Sequence, residues 1–82
     1  MSDKKNILKE LNIIFKDVFN NKKLNINNNS SAKNIKNWDS FIQMNLVISI
    51  EAKYNISFSS IELEKLQNVG QMIDLIYVKT NE

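Results

Sequence analysis

The sequence predicts a small all-α bundle, and three observations carry that expectation. Apolar residues recur at helical spacing in separate segments, several of which open on a capping residue. Among 82 residues there is no proline and one glycine, too few for the tight turns of a β fold. The composition is 43% hydrophobic, enough for one core, and the length reads as one domain, 1–82.

The first predicted helix covers Asp3 to Phe19, with Ser2 or Asp3 as its cap. Ile7, Leu8, Leu11, Ile14, Phe15, Val18 and Phe19 trace one face. That stripe reads as core-facing, with a membrane-surface helix as the lesser alternative. From Asn20 to Trp38 no period is sustained, so a long loop is expected, pinned to the bundle by Leu24, Ile26, Ile35 and Trp38. The second helix is predicted over Asp39 to Tyr54, capped by Asp39 or Ser40. Its apolar residues cover so wide an arc that it reads as a central helix whose first turn stays accessible. Ile56 and Phe58 form an extended link. Ser59-Ser60-Ile61-Glu62 has the spacing of a capping box and opens a short helix through Leu66. Asn68-Val69-Gly70-Gln71 is a weaker version and opens a last helix through about Val78.

Composition also excludes functions. With no Cys and no His there is no zinc finger, no disulfide scaffold and no Cys or Ser-His nucleophile. Metal ligation is not expected, and an enzyme is disfavoured because scattered carboxylates alone remain. Glu62 and Glu64 read as solvated charge and a match to the helix dipole. No apolar run approaches the ~20 residues of a membrane span, and the polar start is not a signal peptide, which fits the cytoplasm. Residues 1–38 carry eight Lys and three acids, +5; residues 39–82 carry three Lys and six acids, −3; the sum is +2. The lysines are scattered and Arg is absent, so nucleic acid is not an expected partner. The abundance of Asn beside Lys and Ile reads as nucleotide-composition bias without chemical content.

Ser40 stands out in the run Asn37-Trp38-Asp39-Ser40-Phe41-Ile42-Gln43-Met44. It sets a hydroxyl at a helix start, where unpaired N–H groups favour an anion by roughly 0.3–1 kcal/mol. Trp38-Asp39-Ser40-Phe41, Leu46-Val47, Ile50-Glu51, Tyr54-Asn55-Ile56, Phe58, Glu62, Leu66, Val69-Gly70 and Ile73-Asp74-Leu75-Ile76 follow without a gap over residues 38–76. This series resembles the acyl carrier protein family. The resemblance implies a four-helix fold, three helices long and one short, with a long loop after the first. It implies that a phosphopantetheinyl transferase attaches 4′-phosphopantetheine to Ser40, with Asp39 helping that enzyme dock. It also implies that Phe41 and Ile42 touch partner enzymes or the arm, and Phe41, Ile42, Met44 and Asn45 together are the expected docking surface for the acyl-loading and acyl-transfer enzymes. Such a carrier needs no general base of its own, since partners supply the catalysis.

The departures from the family pattern concern partner choice. Members commonly show acids along the second helix, whereas here no charge follows Asp39 until Glu51. Phe41 replaces the usual Leu, and Asn55 the usual Gly at a left-handed position that Asn tolerates. Apolar and amide docking is therefore expected, in a dedicated fatty-acid, polyketide or surface-glycan pathway, by a monomeric carrier. Met44, Ile48 and Phe41 read first as ordinary packing and second as the border of a crevice for a chain. The alternatives are an aminoacyl carrier, peptidyl or D-alanyl, and a helical interaction module with no prosthetic group. As a cap, Ser40 replaced by Ala would cost about 0.5–2 kcal/mol.

Overall fold

The computed structural model describes residues 3–81. Four helices follow one another: α1 (Lys4–Val18), α2 (Ser40–Tyr54), α3 (Ser60–Lys65) and α4 (Val69–Thr80), with no strand among the described residues. The architecture is the expected one of three long helices and one short, with the long loop between α1 and α2. Ser2, a candidate cap for the first helix, lies outside the described residues. Asp3 takes that role, its carboxylate accepting from the Asn6 N–H at 2.8 Å.

α1, and not α2 as its wide apolar arc suggested, is the central contact element, packed on both α2 and α4. Its residues Ile7, Leu11 and Phe15 are fully buried against Leu46 and Ile50 of α2 and Val69, Met72, Ile73 and Ile76 of α4. Each such side chain contributes roughly 1.5–3 kcal/mol on leaving water. The stripe on α1 is therefore a core face. The Tyr54 hydroxyl ties α2 to α1 by donating to Glu10 Oε1 at 2.6 Å. Burial first, then the Glu10 bond and charge, hold that phenol above its usual range.

The loop is held by specific bonds. Asn12 on α1 accepts from the Ile26 N–H at 2.8 Å and donates to its carbonyl at 3.4 Å, gripping the backbone as a neighbouring strand would. Ile26 is buried, and Leu24, Ile35 and Trp38 pack against the core. At the start of α4, Val69 N–H donates to Ser30 O at 2.8 Å and Gly70 N–H to Asn28 O at 2.9 Å. Two helix-start donors are thus satisfied by loop carbonyls. Gly70 permits the approach: a Cβ there would stand 3.0 Å from Asn28 O.

Asparagine proves to be structural. Asn20, Asn37 and Asn55 hold φ of 52°, 68° and 55°, the left-handed region. In a chain with one glycine, Asn supplies that conformation because its short polar side chain tolerates it. Asn55 ends α2 at φ 55°, ψ 50°, as the replacement of the family's Gly predicts. Two helix ends differ from expectation. α3 stops at Lys65 because Leu66 is extended, at φ −75° and ψ 116°. α4 runs on to Thr80, whose hydroxyl donates to Ile76 O at 2.8 Å.

Candidate functional site

The chain reaches the site through a left-handed turn at Asn37, whose carbonyl accepts from the Asp39 N–H at 3.1 Å. Asp39 is extended, and its carboxylate accepts from the Ile42 N–H at 2.9 Å. It is therefore the N-cap of α2, and Ser40 is the first helical residue. This corrects the capping role allowed to Ser40. Its hydroxyl makes no hydrogen bond among the described residues, and the residue is exposed. The N–H groups of Ser40 and Phe41 also find no acceptor among the described residues. An exposed hydroxyl thus stands beside two free backbone donors at the positive end of a 15-residue helix.

The first turns of α2 divide into two sides. Ile42 is half-buried and packs against the core. Phe41 and Met44 turn outward, 74% and 58% exposed, and Ile48 continues that stripe at 56%. Ordinary packing, the first expectation for these three, is not what they do, because α2 meets α1 through its opposite face. Asn45 donates one amide N–H to Phe41 O at 3.1 Å. Glu51, the next charge along the helix, accepts from the Phe58 N–H at 2.9 Å and so anchors the extended link.

A groove of about 560 Å³ opens between α2, α3 and the loop, with Ser40 in its lining. Met44, Val47 and Leu63 give it an apolar wall, while Asp39 and Glu64 bring carboxylates to it. Of the three residues weighed as a crevice border, Met44 alone lines it. Trp38 and Gln43 line it too, joined by an indole N–H bond to Gln43 Oε1 at 2.7 Å. A second cavity of about 230 Å³ shares Ala32, Trp38, Gln43 and Leu63 and runs on to Met72. Trp38 is fixed by edge-on contacts with Phe15 and Phe19, at 5.3 and 6.0 Å between ring centres.

The cover of the groove, α3, contains no buried residue. It is held by its capping box, Glu62 N–H to Ser59 Oγ at 3.1 Å and Ser59 N–H to Glu62 Oε1 at 2.8 Å. Lys79 of α4 bridges to Glu62 at 3.0 Å. The Ser59 backbone bond first, then Lys79, hold the Glu62 carboxyl below its ordinary range. Glu62 thus completes the capping box that its spacing predicted, and the Lys79 bridge adds to the solvated charge expected of it.

A solved structure matches this arrangement closely. The solution NMR structure of a holo acyl carrier protein from Geobacter metallireducens is 40% identical, with a TM-score of 0.85, over 90% of this chain and 85% of that one. The chain belongs to the acyl carrier protein family. Acyl carrier proteins are carriers rather than catalysts, and the match supports a carrier role for this chain. No protein-family model matches it, and no curated protein does. Gln43 and Asn12 escaped the sequence reading; a glutamine three residues after Ser40 was the available signal for the first. Among the described residues no helix is long and apolar enough to cross a membrane.

Proposed function

We propose that Ser40 is the attachment point of 4′-phosphopantetheine and that the chain shuttles acyl groups between partner enzymes. One observation carries this reading: the Ser40 hydroxyl is exposed, bonded to no group among the described residues, and set at the start of a capped 15-residue helix. The residues fit the group. The Ser40 and Phe41 N–H groups have no acceptor among the described residues and are available to phosphate oxygens, and the helix end favours the negative charge by roughly 0.3–1 kcal/mol. The holo state of the Geobacter protein supports a covalent group in the family. In attachment, Ser40 Oγ forms a bond to the phosphorus of coenzyme A that bears pantetheine. The pyrophosphate P–O bond breaks, the nucleotide leaves, and the serine proton passes to a base of the transferase. Asp39 holds the helix end in place and presents a carboxylate for that enzyme. The attached group supplies a terminal thiol that bears the acyl group as a thioester, chemistry that a chain without cysteine lacks.

Docking of loading and transfer enzymes is assigned to Phe41, Ile42, Met44 and Asn45. Phe41 and Met44 offer exposed apolar surface beside Ser40, Asn45 an amide, and Ile42 its half-covered edge. The lack of free acids along α2 supports apolar and amide recognition in a dedicated cytoplasmic pathway of fatty-acid, polyketide or surface-glycan synthesis. Incubation with coenzyme A, magnesium and a broad-specificity transferase should add one phosphopantetheine by intact mass. Ser40→Ala should abolish the gain, and no gain with several transferases overturns the assignment. Affinity for a cognate enzyme should change little with added salt; a steep fall would restore charge-driven docking.

A further inference from the structure

The Trp38–Gln43 bond fixes the polarity of the groove beside Ser40. An indole N–H can only donate, so the Gln43 amide must turn its oxygen toward Trp38. The Gln43 Nε2 group, with two N–H donors, is thereby the amide's other face. Gln43 lines the groove, and no acceptor among the described residues takes those donors. Because Trp38 is wedged edge-on against Phe15 and Phe19, its N–H is held in position and the amide with it. The groove therefore combines an apolar wall of Met44, Val47 and Leu63 with one pre-set donor, starting at Ser40 itself.

Resting on the reading that Ser40 carries the arm, we infer that this groove seats the near half of the phosphopantetheine arm, with Gln43 Nε2 donating to its first amide carbonyl and Trp38 as the positioning residue. The chemistry of that half matches the lining. Its geminal methyl groups are apolar, as Met44, Val47 and Leu63 are. Its hydroxyl and amide N–H can donate to the Asp39 and Glu64 carboxylates, and its carbonyl accepts. Gln43 lies three residues beyond Ser40, on the same side of α2 and roughly one 5.4 Å turn away. A plain alkyl chain in the same place would make no use of the Gln43 donors, so the arm matches the lining better than the cargo does.

The test uses isotope-labelled carrier loaded with unlabelled arm from coenzyme A, with complete loading verified by mass. In wild type, the Gln43 side-chain N–H₂ and Trp38 indole N–H resonances should shift on loading. Nuclear Overhauser contacts should join the arm's geminal methyls to Met44 and Leu63. Gln43→Glu keeps an oxygen for Trp38 and removes the donors. It should leave the indole resonance of the unloaded protein bonded while weakening the arm contacts several-fold. A purely structural role for Gln43 would leave those contacts intact. Trp38→Phe, which keeps ring packing but not the N–H, should weaken them less. Loaded wild type with unmoved Gln43 and Trp38 signals, or undiminished contacts in Gln43→Glu, overturns the inference. Failure to gain mass overturns the attachment reading, and this inference with it.

Discussion

Replacing Ser40 and Asp39 separately distinguishes attachment from helix capping. Ser40 is exposed, in the first helical position, and its hydroxyl bonds to no group among the described residues. Ser40→Ala should therefore move stability by no more than about 0.5 kcal/mol in either direction. Asp39→Ala removes the acceptor of the Ile42 N–H, a loss of about 0.5–2 kcal/mol. It also removes a negative charge near the helix start, a further ~0.3–1 kcal/mol. A combined loss of about 0.8–3 kcal/mol should lower Tm by roughly 3–24 °C for a domain of this size. Thermal and urea melts of the unloaded variants, followed by circular dichroism, measure both. Intact mass then asks which variant accepts phosphopantetheine, with Ser40→Ala expected to accept none. A Ser40→Ala protein melting as low as Asp39→Ala would refute the reasoning, because the hydroxyl would then be holding the helix.

Three further outcomes are expected. In Gly70→Ala, a Cβ 3.0 Å from the Asn28 carbonyl meets backbone rather than a yielding side chain. Crowding of about 1–3 kcal/mol outweighs the ~1 kcal/mol that alanine gains in a helix, so Tm should fall; a rise would show that the loop yields freely. Asn55→Val should cost about 1–2 kcal/mol at a left-handed φ of 55°, whereas Asn55→Gly should be neutral or stabilising, as denaturant melts would show. The folded-state pKa of Glu62 lies below its ordinary value, so its contribution is present above the usual glutamate value of about 4.3 and lost as pH falls through the lowered one. Leu63 resonances should report loosening of α3 in that acid window, and Glu62→Gln should abolish the dependence.

The helices were legible because their stripes and caps are local. Ile7, Leu11 and Phe15 are spaced for one face, and Asp39, Ser59 and Asn68 each precede a run that a carboxylate, hydroxyl or amide can cap. The seat of Ser40 was legible for the same reason, though which of two adjacent residues capped α2 was not: both side chains can accept, and only backbone geometry decides. The groove could not be read from the chain. Ala32, Trp38, Gln43 and Leu63 come from the loop, α2 and α3, and meet only after folding. Asn12 gripping Ile26 is likewise a contact across 14 residues. Of the three left-handed asparagines, Asn55 was legible from the family pattern, whereas Asn20 and Asn37 depend on backbone angles that no side-chain period reveals.

Trp38 is the chain's single tryptophan. It touches α1 through two phenylalanines and forms part of the groove wall. Native emission on excitation of indole alone thus comes from one spot, where loop, helix and groove converge. Arm seating, cargo loading or enzyme docking at that wall would register as a change in colour or intensity, in unlabelled protein and in real time.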